Sequence, residues 1–299
     1  MKNKKPSVKN VALCFSGQAR TLELCYPYIK KNLLDQIGSH DIFCFSEDDG
    51  DFKKVKLLNY KRLEKVKFSD VDEIIQPEIR LLNKQNYKTI LFLESFRFNF
   101  RNIYQQLYKI RKSFDLLEEY MKKERVSYNY FIRLRFDFLP FDTIKLENFK
   151  LKENEIIVPK INDSYKNKIN DMFCITKEFE NFKSYCSLYD NFRKIVQKNA
   201  SIKPTFFQKI FFFFEKNYVN FFLFINKKLN KKQKKLPRSF FGVFLLFPKM
   251  FYKKFKTEHM CLLERVLFYH LKNKKIKIRE ELINYVIVRN STEGLLVFG

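Results

Sequence analysis

VALCFSGQARTLELCYPYIKKNLLDQIGSHDIFCFSEDD, residues 11–49, is the stretch from which the fold can be read. Residues 11–15 (VALCF) form a continuous apolar run, as in a strand covered on both faces, and Ser16-Gly17-Gln18 ends it in a loop. Leu22, Cys25, Tyr26, Ile29, Leu33, Leu34 and Ile37 then recur close to helical period, with Thr21 ahead of Glu23 as the helix start. Residues 41–46 (DIFCFS) are a second short buried strand that runs straight into Glu47, Asp48, Asp49 and Asp51. Strand, helix, strand at this spacing is a βαβ unit, so the expected fold class is α/β, a Rossmann-like, mostly parallel sheet flanked by helices.

The alternation continues downstream. Residues 70–79 and 89–93 read as a strand or extended pieces. Residues 102–123 carry Ile103, Tyr104, Leu107, Tyr108, Ile110, Phe114, Leu117 and Tyr120 as one apolar stripe, which predicts a long helix. Residues 128–134 (YNYFIRL) are the next central strand, ending in Arg135-Phe136-Asp137-Phe138-Leu139-Pro140. Two short strands, 156–159 and 172–176, bracket a polar loop at 160–170. Beyond Glu178 the pattern turns helical with an aromatic bias, and residues 206–255 are dominated by Phe and Lys with a basic run at 227–235. An amphipathic helix over 257–271 and late strands at 275–278 and 285–289 close the chain, and no repeat of solenoid or propeller period is present. The organisation this suggests is a main domain over residues 1–200, a Phe/Lys-rich helical insertion over 201–256, and a C-terminal helix with strands over 257–299 that completes the main domain.

Composition narrows the function classes. With 45% hydrophobic and 17% aromatic residues and only 6 Gly and 8 Pro in 299, the chain can bury a large core and is neither fibrous nor linker-like. Its six cysteines are scattered without a C-x-x-C pair, as free thiols in a reducing compartment would be. The greasiest window, 206–225, is interrupted by Lys209, Glu215, Lys216, Asn217 and Asn220, so no spanning helix is expected. The expected location is cytoplasmic, peripheral at the inner membrane face. The net charge of +26 has two readings: attraction to phosphate in a nucleotide, a nucleic acid or an anionic lipid, or the surface lysines of an AT-rich genome, given 45 Lys against 14 Arg. His40, His259 and His270 are too few and too separated for a zinc site. The absence of H-E-x-x-H, G-x-G-x-x-G and G-x-x-x-x-G-K-[ST] removes zinc proteolysis, dinucleotide hydride transfer and P-loop chemistry.

In an open parallel sheet, ligands sit at the carboxyl edge, so the polar residues that follow buried strands are the candidates. Ser16, Gly17, Gln18 and Arg20 follow the first strand, where a glycine lets backbone approach a ligand and an arginine can fork onto phosphate. Glu47 and Asp48 follow the second, where a carboxylate can accept from a ribose or a base edge. Arg133, Arg135 and Asp137 end the strand after the long helix. Each has a plain structural counterpart, namely a turn, a solvated acidic loop, and an ordinary Arg135–Asp137 ion pair.

FSGQAR, YNYFIRLRFDFLP and INDMF at residues 169–173 resemble a family of bacterial and viral GT-A-like glycosyltransferases related to lipopolysaccharide and capsule enzymes. The likeness covers roughly the first 180 residues and the helix near Glu258, and leaves the Phe/Lys-rich segment unmatched. The family pattern is R-x-R-P-D, and here Phe136 stands in place of the proline. The resemblance implies transfer of a sugar from a nucleotide-sugar donor to a surface glycan or lipid-linked acceptor. It assigns Ser16, Gly17, Gln18, Arg20, Glu47, Asp48, Arg133 and Arg135 to the donor, with the acids near its base or ribose. Asp137 is implied as ligand of a divalent Mg or Mn that holds the donor diphosphate, although Arg135 stands where the first acid of a D-x-D would be. Asp171, with Asn170 before it, and Glu258 are the implied acceptor-side catalytic acids.

The Phe/Lys-rich segment suits either an anionic membrane surface or a closed helical subdomain. Two further readings stay open. One is a basic nucleic-acid-binding protein, against which stands the lack of a recognised module and the excess of Lys over Arg, so no nucleic-acid partner is expected. The other is an inactive GT-A-like scaffold at a membrane.

Overall fold

The computed structural model describes residues 7–84, 100–160, 169–200, 263–291 and 294–298. The expected extended piece at 89–93, the Phe/Lys-rich segment 206–255, Cys261 and the start of the last helix lie outside them. In chain order the described elements are β1 (Ser7–Gly17), α1 (Leu22–Asn32), β2 (His40–Glu47), β3 (Arg62–Val66), α2 (Phe68–Lys84), α3 (Phe100–Glu124), β4 (Val126–Arg135), β5 (Phe138–Pro140), β6 (Glu155–Pro159), β7 (Phe173–Thr176), α4 (Phe179–Cys186), α5 (Leu188–Ala200), α6 (Leu263–Asn273), β8 (Lys277–Glu281), β9 (Tyr285–Ser291) and β10 (Gly294–Phe298).

Seven strands form a mostly parallel mixed sheet in the order β3-β2-β1-β4-β7-β6-β8. β1 runs parallel to β2 and β4, β2 to β3 and β6 to β8, while β7 is antiparallel to both neighbours. A second sheet, β10-β9-β5, is antiparallel. The two faces of β1 follow from its alternation. Val11, Leu13 and Phe15 share an apolar cluster with Leu22, Cys25 and Ile29 of α1. Cys14 faces the other way and donates to the Ser113 carbonyl of α3 at 3.5 Å. From β2, Phe43 packs edge-on to Tyr120 and Phe45 to Tyr108 of α3. Helices therefore cover both faces, which is why residues 11–15 are all 0% exposed and read as an unbroken apolar run.

One expectation is corrected. Residues 70–79 are not extended but lie within α2. Val71, Ile75 and Leu82 are its buried residues, a spacing of four and then seven that only a helix puts on one face. Pro77 sits inside the helix and hides that period. The strand β3, RLEKV, was not signalled at all, because it is a mostly exposed edge strand whose charges face water.

The chain divides into two compact units. Residues 1–80, 100–195 and 263–299 form the first, and residues 81–99 and 196–262 the second, of which only 81–84 and 196–200 are described. Among the described residues no helix is long and apolar enough to cross a membrane. Cys14, Cys25, Cys44, Cys174 and Cys186 are buried and unpaired, and burial pushes the Cys25 and Cys174 thiols up to about 12.

His270 of α6 is 3% exposed, and its Nε2 lies 2.9 Å from the Ser184 carbonyl. Burial holds this imidazole below its ordinary value, so the folded chain keeps it neutral where the unfolded chain takes up a proton. The unfolded state then binds more protons below about pH 6.5, and stability falls as pH drops through that value. Urea midpoints measured between about pH 7.5 and 5.5 should decline, and the decline should be smaller in His270→Gln. An unchanged slope in the variant would assign the decline to other groups.

Candidate functional site

The strand order turns at β1, with β2 and β3 on one side and β4 on the other. In a parallel sheet the loops leaving two such strands diverge, and a crevice opens at the carboxyl edge between them. A cleft of about 420 Å³ lies there. The loop after β1 lines it with Ser16, Gly17, Gln18, Arg20 and Thr21, the end of β2 with Glu47, and the end of β4 with Arg133, Arg135, Phe136 and Asp137. Phe68 opens α2 on its wall, Asn102, Gln105, Gln106 and Lys109 come from α3, and Val288 from β9. The register brings distant residues together, since Cys14 pairs with Arg133 and Ser16 with Arg135 across the β1–β4 ladder.

Gly17 ends β1 at φ +130°, a conformation that side-chain-bearing residues rarely adopt. Next to it, the Gln18 amide donates to Glu47 Oε2, and Lys109 donates to Glu47 Oε1. Glu47 is 4% exposed and Lys109 7%, so this buried carboxylate ties the first loop, the end of β2 and the long helix into one unit. Phe136, in place of the proline of the resembled motif, is fully buried and stacks on Phe15 with ring centroids 5.7 Å apart.

Arg135 forks onto Asp137, Nε to Oδ1 at 2.7 Å and the terminal nitrogen to Oδ2 at 2.6 Å. The pair raises the Arg135 pKa, the hydrogen bond and charge of Asp137 outweighing the desolvation that opposes them. The Asp137 carbonyl accepts from Val288 N–H at 3.0 Å, and the Val288 carbonyl accepts from the Thr21 hydroxyl at 2.6 Å. A single β9 residue thus holds both loops in place. Arg133 is 1% exposed and donates to the main-chain carbonyl of Asp171, while its Nε has no hydrogen-bond partner. No carboxylate ion pair is formed by Arg133 or Arg20 among the described residues.

Eight of the residues singled out in the sequence, Ser16, Gly17, Gln18, Arg20, Glu47, Arg133, Arg135 and Asp137, line this one cleft. Asp48 does not. It forms an ion pair with Lys65 at 3.2 Å, and its N–H donates to the Val66 carbonyl. Asp171 is 4% exposed, lies behind the wall rather than on it, and accepts from Gln106. Asn170 donates to the Tyr285 hydroxyl. Glu258 is outside the described residues. Sequence reading missed Phe68, Asn102, Gln105, Gln106 and Lys109.

The expected Mg or Mn at Asp137 meets a donor set that does not fit it. Both Asp137 oxygens are held by Arg135, and both oxygens of Glu47, the other carboxylate of the cleft, are taken by Gln18 and Lys109. Among the described residues no group of three His, Cys, Asp or Glu side chains could hold a metal ion. The cleft's charge is instead cationic, with four basic side chains against two carboxylates on its lining.

Sheet order and lining together define an α/β protein with a cleft rich in cationic side chains at the switch point of its sheet. The chain belongs to the family described as a domain of unknown function, DUF7796, which matches residues 6–189. No curated protein matches it. Among solved structures, mouse xyloside xylosyltransferase 1 in its apo form is similar at 9% identity and a TM-score of 0.35, over 63% of this chain and 72% of that one. The nucleoside-diphosphate-sugar pyrophosphorylase of Vibrio cholerae is similar at 9% identity and a TM-score of 0.35, over 91% of each chain. At these TM-scores the likenesses are too remote to argue from.

Proposed function

We propose that the protein is a nucleotide-sugar-dependent glycosyltransferase of GT-A-like type whose switch-point cleft takes the donor diphosphate. The observation that carries this reading is Arg133, a guanidinium 1% exposed on the cleft lining, with Nε unpartnered. A buried cation without a carboxylate is costly, and a ligand phosphate is the group that offsets it. Arg20 and Arg135 on the same lining give a diphosphate more than one cation to meet.

In the transfer, the bond between the sugar's anomeric carbon and the diphosphate oxygen breaks and its electron pair stays on that oxygen. The acceptor hydroxyl forms the new carbon–oxygen bond and gives up its proton. Charge therefore grows on the leaving diphosphate, where fixed guanidinium groups act without reorganising; one such donor is commonly worth about 10²–10³ in rate. The acceptor, a surface glycan or lipid-linked glycan, and the proton-accepting role of Asp171 or Glu258 rest on the family resemblance alone. The same holds for contact of the Phe/Lys-rich segment with an anionic membrane.

The test is a panel of UDP-, GDP- and CDP-linked sugars incubated with the protein. Release of the nucleotide from one of them, faster with a glycan acceptor present, is the expected result. Absence of release from the whole panel, together with no binding of the corresponding nucleotides, would remove the reading.

A further inference from the structure

We infer that Phe68 is the stacking platform for the base of the cleft's nucleotide, with the Asn102 amide beside it meeting the base edge, an inference that rests on the nucleotide reading above. Phe68 follows the end of β3 by two residues and opens α2, on the side of the sheet away from β4. Its ring lines the cleft and is 44% exposed, although a phenylalanine of this fold is ordinarily buried. The ring is held in place. Asp72 accepts from both Nε and a terminal nitrogen of Arg101, and the Arg101 guanidinium carbon lies 5.0 Å from the Phe68 centroid. An exposed aromatic face fixed by a cation, on the same cleft as the guanidinium groups of Arg20, Arg133 and Arg135, suits a flat heteroaromatic ring better than it suits water.

Asn102, next in sequence to Arg101, is exposed and lines the same wall. Its carboxamide supplies both a donor and an acceptor, as a Watson–Crick edge requires. The acids after β2, where the family resemblance puts the base or ribose, are otherwise engaged. Glu47 is consumed by Gln18 and Lys109, and Asp48 pairs with Lys65 off the lining. The base site is thereby displaced one strand outward, from the end of β2 to the end of β3.

The experiment is calorimetric titration of the full chain with UDP, GDP, CDP and inorganic pyrophosphate, for the natural protein, Phe68→Ala, Phe68→Tyr and Asn102→Ala. Loss of one base–aromatic stack should weaken the tightest nucleoside diphosphate at least about fivefold in Phe68→Ala while Phe68→Tyr retains it. Pyrophosphate affinity should stay within about twofold in all variants, because the diphosphate contacts are untouched. Asn102→Ala should narrow the difference between bases. Unchanged nucleoside-diphosphate affinity in Phe68→Ala, or an equal loss for pyrophosphate, overturns the platform and leaves the diphosphate reading standing. If the natural protein binds neither ligand class, the diphosphate reading fails and the platform fails with it.

Discussion

Glu47→Ala should cost about 3–5 kcal/mol of folding stability, the range for removing one member of a buried ion pair. The cost follows from what stays behind. Lys109, 7% exposed, is left buried without its carboxylate partner, and the Gln18 amide loses its acceptor. Urea unfolding measures the loss. A second substitution, Lys109→Met in the Glu47→Ala background, should recover part of it, because the uncompensated charge goes and the methylene volume remains. A loss below about 1 kcal/mol would mean that solvent screens the pair.

The second large effect concerns binding. Arg135→Ala removes a cation and uncovers the Asp137 carboxylate on the lining, so nucleoside-diphosphate affinity should fall by about thirtyfold or more. Asp137→Asn works in the opposite direction. It releases Arg135 from its fork, and affinity should hold or rise, equally in chelator and in Mn²⁺. If Asp137 were the ligand of a resident cation, Asp137→Asn would instead abolish binding and chelator would do the same to the natural protein. The two substitutions together separate a cleft neutralised by guanidinium groups from one neutralised by metal.

The first βαβ unit could be read from the sequence because its strands are covered on both faces, so 11–15 and 42–45 stand out as unbroken apolar runs between polar stretches. The strand ends followed from the same logic, since Ser16–Arg20, Glu47 and Arg133–Asp137 mark where apolar runs stop at the carboxyl edge. The α3 contribution was hidden for a physical reason. Gln105, Lys109 and Ser113 recur every four residues and are all buried, yet polar residues at helical spacing normally mark the solvated face. Only the partners distinguish the two cases, and Glu47 lies 62 residues away from Lys109. Phe68 is concealed similarly, because the stretch just after it, 70–79, reads as extended rather than as part of a helix. The Arg135–Asp137 pair was visible as an alternative to metal binding, and the fork geometry decides which carboxylate oxygens are available.

Val288 shows a different limit. Its main-chain groups secure Asp137 and Thr21 from a strand that follows the last matched family residue by about a hundred positions, and main-chain contacts leave no trace in side-chain pattern.

The most direct measurement is the crystal structure of the protein with a bound nucleoside diphosphate. The diphosphate is expected beyond the carboxyl ends of β1 and β4, within hydrogen-bond reach of Arg133 and of Arg20 or Arg135. Density for the nucleotide anywhere else on the molecule, with Arg133 and the Arg135–Asp137 fork untouched, would contradict it.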